Sequence, residues 1–441
     1  MELKEAYCVQ MKSLLGEAGF LSYQKALEKP WQRGLRLNLL FCPDGMSRAA
    51  APFLEESVPW ARGAYFVEDA SRPGVSPLHE AGLFYLQEPS AMVPVSLLDP
   101  KPGEKVLDLC AAPGGKSTQI AGLMAGRGLL VSNEPVPNRA QILSRNLERL
   151  GVANSVVTVA MPEDLSGRFE AFFDRILVDA PCSGEGMFRR QPEAMEEWDA
   201  EAPARCAERQ RLILQHASRM LKPGGRLVYS TCTFNRTENE ETIASFLCAH
   251  PEFRLIPFEL PGLPAAPSGM LHLYPHEIRG EGHFAACLQK EGELVPDEPA
   301  GYAAPAKGQS ILLPEVFAAG HEPKNVTMDG DVLRILPDFY RKECFAGIRV
   351  LRTGLLVGHA KGKRTEPDHA LALSMRVCDA ARTAELTEQQ ALLYQAGEAL
   401  DLGDLPSGYT LLCHQGKALG WGKQAGGLMK NHYPKGLWRR S

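Results

Sequence analysis

Between about residues 89 and 290 the chain alternates short aliphatic runs with longer segments whose apolar positions recur at helical spacing. The runs KVLDLC (105–110), GLLVSN (128–133), SVVTVA (155–160), DRILVDA (174–180) and GGRLVYST (224–231) carry few polar residues. Such runs are expected of strands covered on both faces. Between them, TQIAGLM and NRAQILSRNLERLG have the helical pattern, and Gly151 stops the second. The alternation predicts an α/β domain built on a parallel sheet, with FAACLQK (284–290) as a late edge strand.

The flanks read differently. Residues 1–88 mix helix and strand patterns, including LRLNLLF (35–41), and predict a small α+β module ahead of a core at 89–290. LVPDEPAGYAAPAKG, rich in Pro, Gly and Ala, predicts a linker over 291–309. Within 310–441 the runs GIRVLR, LLVGHAKG and YTLLCHQGKALGWGK, punctuated by glycine, predict a compact β-rich module. A length of 441 residues with 44% hydrophobic positions suits such a division.

Composition narrows the function. No run approaches the roughly 18 apolar residues of a membrane span, and the N-terminus lacks an apolar core with a cleavage site. A cytoplasmic protein is expected, with no membrane partner. Eleven cysteines stand without any C-x-x-C spacing, so neither a metal site nor a disulfide framework is expected. The net charge of -5 gives no overall polyanion signature, yet from Leu411 onward Lys417, Lys423, Lys430, Lys435, Arg439 and Arg440 occur without an acid. That tail predicts a local basic surface.

KVLDLC runs directly into AAPGGKST, a glycine-rich turn between a strand's carboxyl end and a helix. Open α/β sheets bind ligands there. Gly114 and Gly115 permit close approach of the backbone, and the helix start favours a polar or anionic group. A nucleoside triphosphate loop would need a further glycine upstream, and Ala111, Pro113 and Gly115 do not fit a dinucleotide fingerprint. S-adenosylmethionine remains, with Glu134 after the second strand as the acid for its ribose. The competing reading is a plain tight turn with Glu134 as a solvated acid.

The fourth and fifth strands end in DAPCSGEGMFRR and STCTFNRTENEE, so Cys182 and Cys232 should open into the same crevice. Carbon 5 of cytosine is too weak a nucleophile to take a methyl group unaided. Adding a thiolate to carbon 6 turns the 5,6 double bond into an enamine, and a thiolate also leaves well afterwards. Asp179 can sit at the cytosine N3 and N4 edge or near a sulfonium. Cys232 is the expected nucleophile, with Cys182 assisting release; the exchanged roles, or two ordinary buried cysteines, are the alternatives.

KVLDLCAAPGGKSTQIA, NEPVPNRAQILSRNLERLG, DRILVDAPCSGEGMFRR and GGRLVYSTCTFNRTENEE resemble, in order, the motifs of the bacterial and eukaryotic RNA cytosine-C5 methyltransferases. The resemblance implies a Rossmann-like S-adenosylmethionine-dependent methyltransferase core and Cys232, of the threonine-cysteine pair, as nucleophile. It carries cofactor contacts onto Cys110, Ala111, Ala112, Pro113, Gly114, Gly115, Lys116, Glu134, Arg139 and Asp179. Where many members place an adenine-holding Asp after the third strand, this chain has Met161, with Glu163 and Asp164 slightly later. LRLNLLF and QEPSAM look like the family's N-terminal RNA-binding portion. The C-terminus is similar to the PUA-like appendage of the RsmF-like ribosomal subgroup.

The resemblance implies 5-methylcytosine formation in ribosomal RNA, 16S favoured, or in the ribosomal subunit, and a monomer is expected. The cytosine must be unpaired or flipped out. The tail cations would meet phosphates, Trp421, Tyr433 and Trp438 would stack on bases or fill a core, and MFRR (187–190) would grip RNA or be solvated surface. Transfer to tRNA or another RNA, a methyltransferase with a DNA, protein or small-molecule substrate, and a non-catalytic RNA-binding assembly factor are the rivals.

Overall fold

The structure is a computed structural model that describes residues 3–68, 70–298, 311–323 and 325–439. Most of the expected linker, and Arg440 of the tail, lie outside the described residues.

The centre is one mixed sheet of β1 (Lys105–Asp108), β2 (Leu129–Asn133), β3 (Ser155–Val159), β4 (Phe173–Asp179), β5 (Leu221–Thr231), β6 (Phe253–Leu255), β7 (Met270–Leu273), β8 (His283–Lys290) and β9 (Arg349–Thr353). Its spatial order is β6-β8-β5-β4-β1-β2-β3-β9, with β7 also along β8. The first five are parallel, and strand order reverses between β1 and β4. Alternating side chains serve two layers. Val106, Leu130, Val157 and Val228 pack with Ile120 and Leu143 of helices α1 (Gly115–Leu123) and α2 (Pro137–Arg149). Leu107, Val131, Val156 and Leu227 pack with Leu214 and Met220 of α3 (Ala202–Met220). Burial on both faces, worth roughly 1.5–3 kcal/mol per large aliphatic side chain, is why these runs lack polar residues.

Two strand readings change. FAACLQK forms an internal strand, because β8 pairs with β5 on one side and with β6 and β7 on the other. GIRVLR does not stay in a separate C-terminal module: as β9 it pairs antiparallel with β3, covering that open edge. Its Arg352 donates to Glu148 at 3.1 Å and to the Val152 carbonyl at 2.9 Å.

The N-terminal residues form a helix at Glu5–Leu27, broken at Gly16 (φ 69°), and a four-stranded antiparallel sheet. Of LRLNLLF only the first part is strand, since the sheet takes Gly34–Leu37 and Asn38 turns the chain, donating to Gly82 O and Leu150 O at 2.8 Å. The helix packs Tyr7, Met11 and Tyr23 against Phe188, Trp198 and Phe234, roofing the loops that follow β4 and β5. The C-terminal residues form two further four-stranded sheets. No helix among the described residues is long and apolar enough to cross a membrane.

Candidate active site

At the carboxyl ends of β1, β4 and β5 lies a cavity of about 240 Å³. Cys110, Ala111, Ala112, Pro113, Gly115, Lys116, Asp179 and Cys232 line it. Gly114 is the left-handed residue (φ 112°) that lets α1 begin immediately after the turn. The N-terminal module supports that start. Buried Arg36 donates to Gly115 O at 2.9 Å and Thr118 Oγ1 at 2.8 Å, and Gln87 and Glu88 of QEPSAM join the lining.

Glu134 and Arg139 stand on the other side of the loop. Glu134 is 2% exposed, accepts from the Val136 backbone at 3.0 Å and pairs with Arg139, which also donates to Ala112 O at 3.2 Å. Met161 is exposed, and Glu163 and Asp164 occupy the first turn of the short helix it precedes.

Asp179 is the electrostatic centre of the cavity. Its Oδ2 is 2.8 Å from Lys116 Nζ, its Oδ1 accepts from Ser230 Oγ at 2.8 Å, and His283 Nε2 is 3.5 Å away. Burial alone would raise this carboxyl, but Lys116 and His283 outweigh it and hold it well below the usual carboxylate range. Lys116 is likewise pressed down by burial and carried above its ordinary value by Asp179. Asp108, fully buried, is pushed up to about 7 by desolvation, with only one of its oxygens bonded, to Ser117 Oγ at 2.7 Å. Burial also drives the Cys110 thiol far up, which suits a loop contact and not a nucleophile.

The two thiols meet. Cys182 Sγ lies 3.3 Å from Cys232 Sγ, and this contact together with burial keeps Cys182 well above a normal thiol. Beneath them is a polar network that sequence reasoning missed. Glu238 accepts from Ser183 N, Asn235 Nδ2 and Gln210 Nε2 at 3.0, 2.7 and 2.7 Å, and from the Ser183 hydroxyl. Glu185 accepts from the backbone of Phe234 and Asn235 at 2.8 and 3.0 Å. The loop after β4 is thereby tied to the loop after β5, fixing one sulfur against the other. The signal available was the density of acids in SGEG and TENEE beside two cysteines. His283 and Glu281 were also missed, since nothing in a strand pattern marks a cavity wall.

Several expected nucleic-acid contacts turn inward. Arg189 of MFRR pairs with buried Glu281 at 2.6 Å and donates to Ala26 O at 2.7 Å, so it clamps the N-terminal helix. Lys417 is 4% exposed and the partly exposed Arg439 is tied to Glu80 at 2.7 Å, leaving Lys423, Lys430 and Lys435 as the tail cations that are neither buried nor held by an acid among the described residues. Trp421 and Tyr433 are core, and Trp438 packs over Gly397 with its indole donating to Tyr433 O at 3.2 Å.

A parallel sheet that reverses beside a glycine loop, with an acid after β2 and reactive groups after β4 and β5, defines a Rossmann-like methyltransferase core. The protein named Ribosomal RNA small subunit methyltransferase F from Salmonella arizonae is 32% identical over 99% of this chain and 96% of its own length, and that from Erwinia tasmaniensis is 31% identical over 98% and 96%. The chain belongs to the RsmB/F family of 16S rRNA methyltransferases and is an RNA methyltransferase. The family's model matches residues 95–289. Models of the RsmF N-terminal, first C-terminal and PUA domains match 3–89, 312–375 and 381–440. A methyltransferase homolog from Pyrococcus horikoshii superimposes with a TM-score of 0.57 at 31% identity, over 65% of this chain and 95% of that one. NSun6 from Pyrococcus horikoshii, solved with SFG, shares the fold with a TM-score of 0.56 at 23% identity, over 66% and 99%.

Proposed function

We propose that this protein methylates carbon 5 of a cytosine in 16S ribosomal RNA, taking the methyl group from S-adenosylmethionine, with Cys232 as covalent nucleophile. The observation that carries the reading is one cavity in which a glycine loop, an acid held ionised and a thiol touching a second thiol converge. The names of the full-length relatives support the RNA.

The residues suit such a cofactor. Cys110–Lys116 would approach it by backbone, Glu134 and Arg139 would hold the ribose end, and the negative Asp179 favours a cationic centre nearby. When bound, S-adenosylmethionine supplies an electrophilic methyl group. Cys232, as thiolate, adds to cytosine C6 and breaks the 5,6 double bond, so that electron density rises at C5. Asp179 accepts from the exocyclic amine, and Lys116 offsets its charge. After C5 is methylated, loss of its proton expels the Cys232 thiolate and restores the ring. Cys182, 3.3 Å from that sulfur and held as a thiol, acts on the adduct by giving its proton to the departing Cys232 thiolate, while the C5 proton passes to solvent.

The test is transfer of labelled methyl to unmodified ribosomal RNA by the wild type, Cys232→Ala and Cys182→Ala, followed by denaturing gels. Label at C5 that vanishes in Cys232→Ala, with a stable protein–RNA adduct in Cys182→Ala, is the expected result. Full activity without Cys232 would refute the mechanism, and RNA binding without any transfer would favour an assembly factor.

A further inference from the structure

Arg189 and Arg190 leave the loop after β4 toward different surroundings. Arg189 reaches the two oxygens of Glu281 at 2.6 and 2.8 Å. The same carboxylate accepts from the backbone N–H of Gln32 at 3.3 Å. Glu281 is 3% exposed, so one buried acid anchors two distant segments at the positions next to Arg190 and Trp31. The Arg190 guanidinium then lies 5.2 Å from the Trp31 ring centroid. Arg190 lines the cavity that contains Cys232, and no carboxylate pairs with it among the described residues. Trp31 is 38% exposed.

An unpaired guanidinium on the wall of a cavity, with an exposed indole beside it, offers the groups on which unpaired RNA bases stack. A cytosine drawn to Cys232 leaves a neighbour that has lost one stacking partner. We infer that Trp31 and Arg190 form a stacking platform for the base adjacent to the target cytosine. This rests on the reading of the cavity as a cytosine site and adds to it a subsite for the next nucleotide. The buried Glu281 anchor holds the platform ready before RNA arrives, and Arg190 adds positive charge for the backbone.

The test uses the full-length protein and the RNA segment whose cytosine the wild type methylates, made with an abasic site on either side in turn. Trp31→Ala and Arg190→Ala are each expected to weaken RNA binding and raise KM for RNA roughly tenfold. The kcat at saturating RNA, cofactor affinity and melting temperature should stay unchanged, and Trp31→Phe should retain most of the affinity. On one side, the abasic site should cost the wild type the same factor and cost Trp31→Ala nothing more. Wild-type affinity in Trp31→Ala, or losses that multiply with the abasic loss on both sides, overturns the platform. Methylation of no RNA by the wild type would instead defeat the proposed reaction, and the assignment of the platform to a cytosine's neighbour with it.

Discussion

Asp108 and Asp179 end adjacent parallel strands, and their surroundings push the two carboxyls in opposite directions. Asp179 has Lys116 and Ser230 on its oxygens, whereas Asp108 has one hydroxyl and no cation in contact. Replacing Asp179 with Asn strands the Lys116 ammonium and removes the charge that the cavity is built around. A fall in kcat of about 10²–10³ is expected, with RNA affinity nearly unchanged, measured by steady-state methyl transfer. Asp108 gives a stability signature. The folded chain keeps its proton up to about pH 7, while the unfolded chain releases it near 4. Through this group the folded state therefore binds more protons across that window, and the Asp108 contribution to stability falls as pH rises from about 4 to 7 and then levels. Asp108→Asn, neutral throughout, should lose that component, so that between pH 5 and 8 its melting temperature drops by less, or climbs by more, than the wild type's; a slope equal to the wild type's would assign the effect to another group.

The turn before α1 is an element whose shape its glycine dictates. A Cβ on Gly114 would stand 3.2 Å from Leu143 Cδ1 at a φ of 112°, so Gly114→Ala combines strain, of order 1–3 kcal/mol, with a push against α2. Calorimetry should show cofactor affinity reduced about tenfold or more. Gly126→Ala, strained at φ 74° but with open space around it, should lower stability and leave cofactor affinity alone. The same element scale explains what the sequence disclosed. β1 to β5 were legible because strands buried on both faces must be continuously apolar, and their carboxyl ends then locate Cys110, Asp179, Cys182 and Cys232. The place of β9 was not: GIRVLR reads as a strand, but its partner is chosen by the open edge of β3, which no run of residues records. Glu185, Asn235 and Glu238 read as solvated loop residues until two loops close over them. Lys417 and Arg439 counted as a basic surface because residue type alone does not record which cations are docked.

At the scale of the whole molecule, the end of α2 is where N-terminal, central and C-terminal parts meet. A Cβ on Gly82 would strike Arg149 O at 1.8 Å, and one on Gly151 would lie 2.6 Å from Leu373 O, so backbone packs on backbone on both sides. Lys417 completes this junction from the C-terminal β-hairpin. It donates to Leu373 O at 3.0 Å and sits 3.2 Å from the ring centroid of Phe41. Burial pushes the amine down to about 7, while in the unfolded chain it titrates near 10.4. The unfolded state thus binds more protons between those values, so the cost of burying the charge is complete below about pH 7 and fades as pH rises toward 10. Met fills similar space without the charge and forfeits one hydrogen bond and one cation–ring contact. Lys417→Met is therefore expected to be more stable than the wild type at pH 7, by about 1–3 kcal/mol in denaturant unfolding, with the advantage shrinking at pH 8.5 and nearly gone at pH 10. A variant less stable at every pH would mean that the carbonyl and the Phe41 ring more than offset burial, and that this cation is a clasp between the terminal modules.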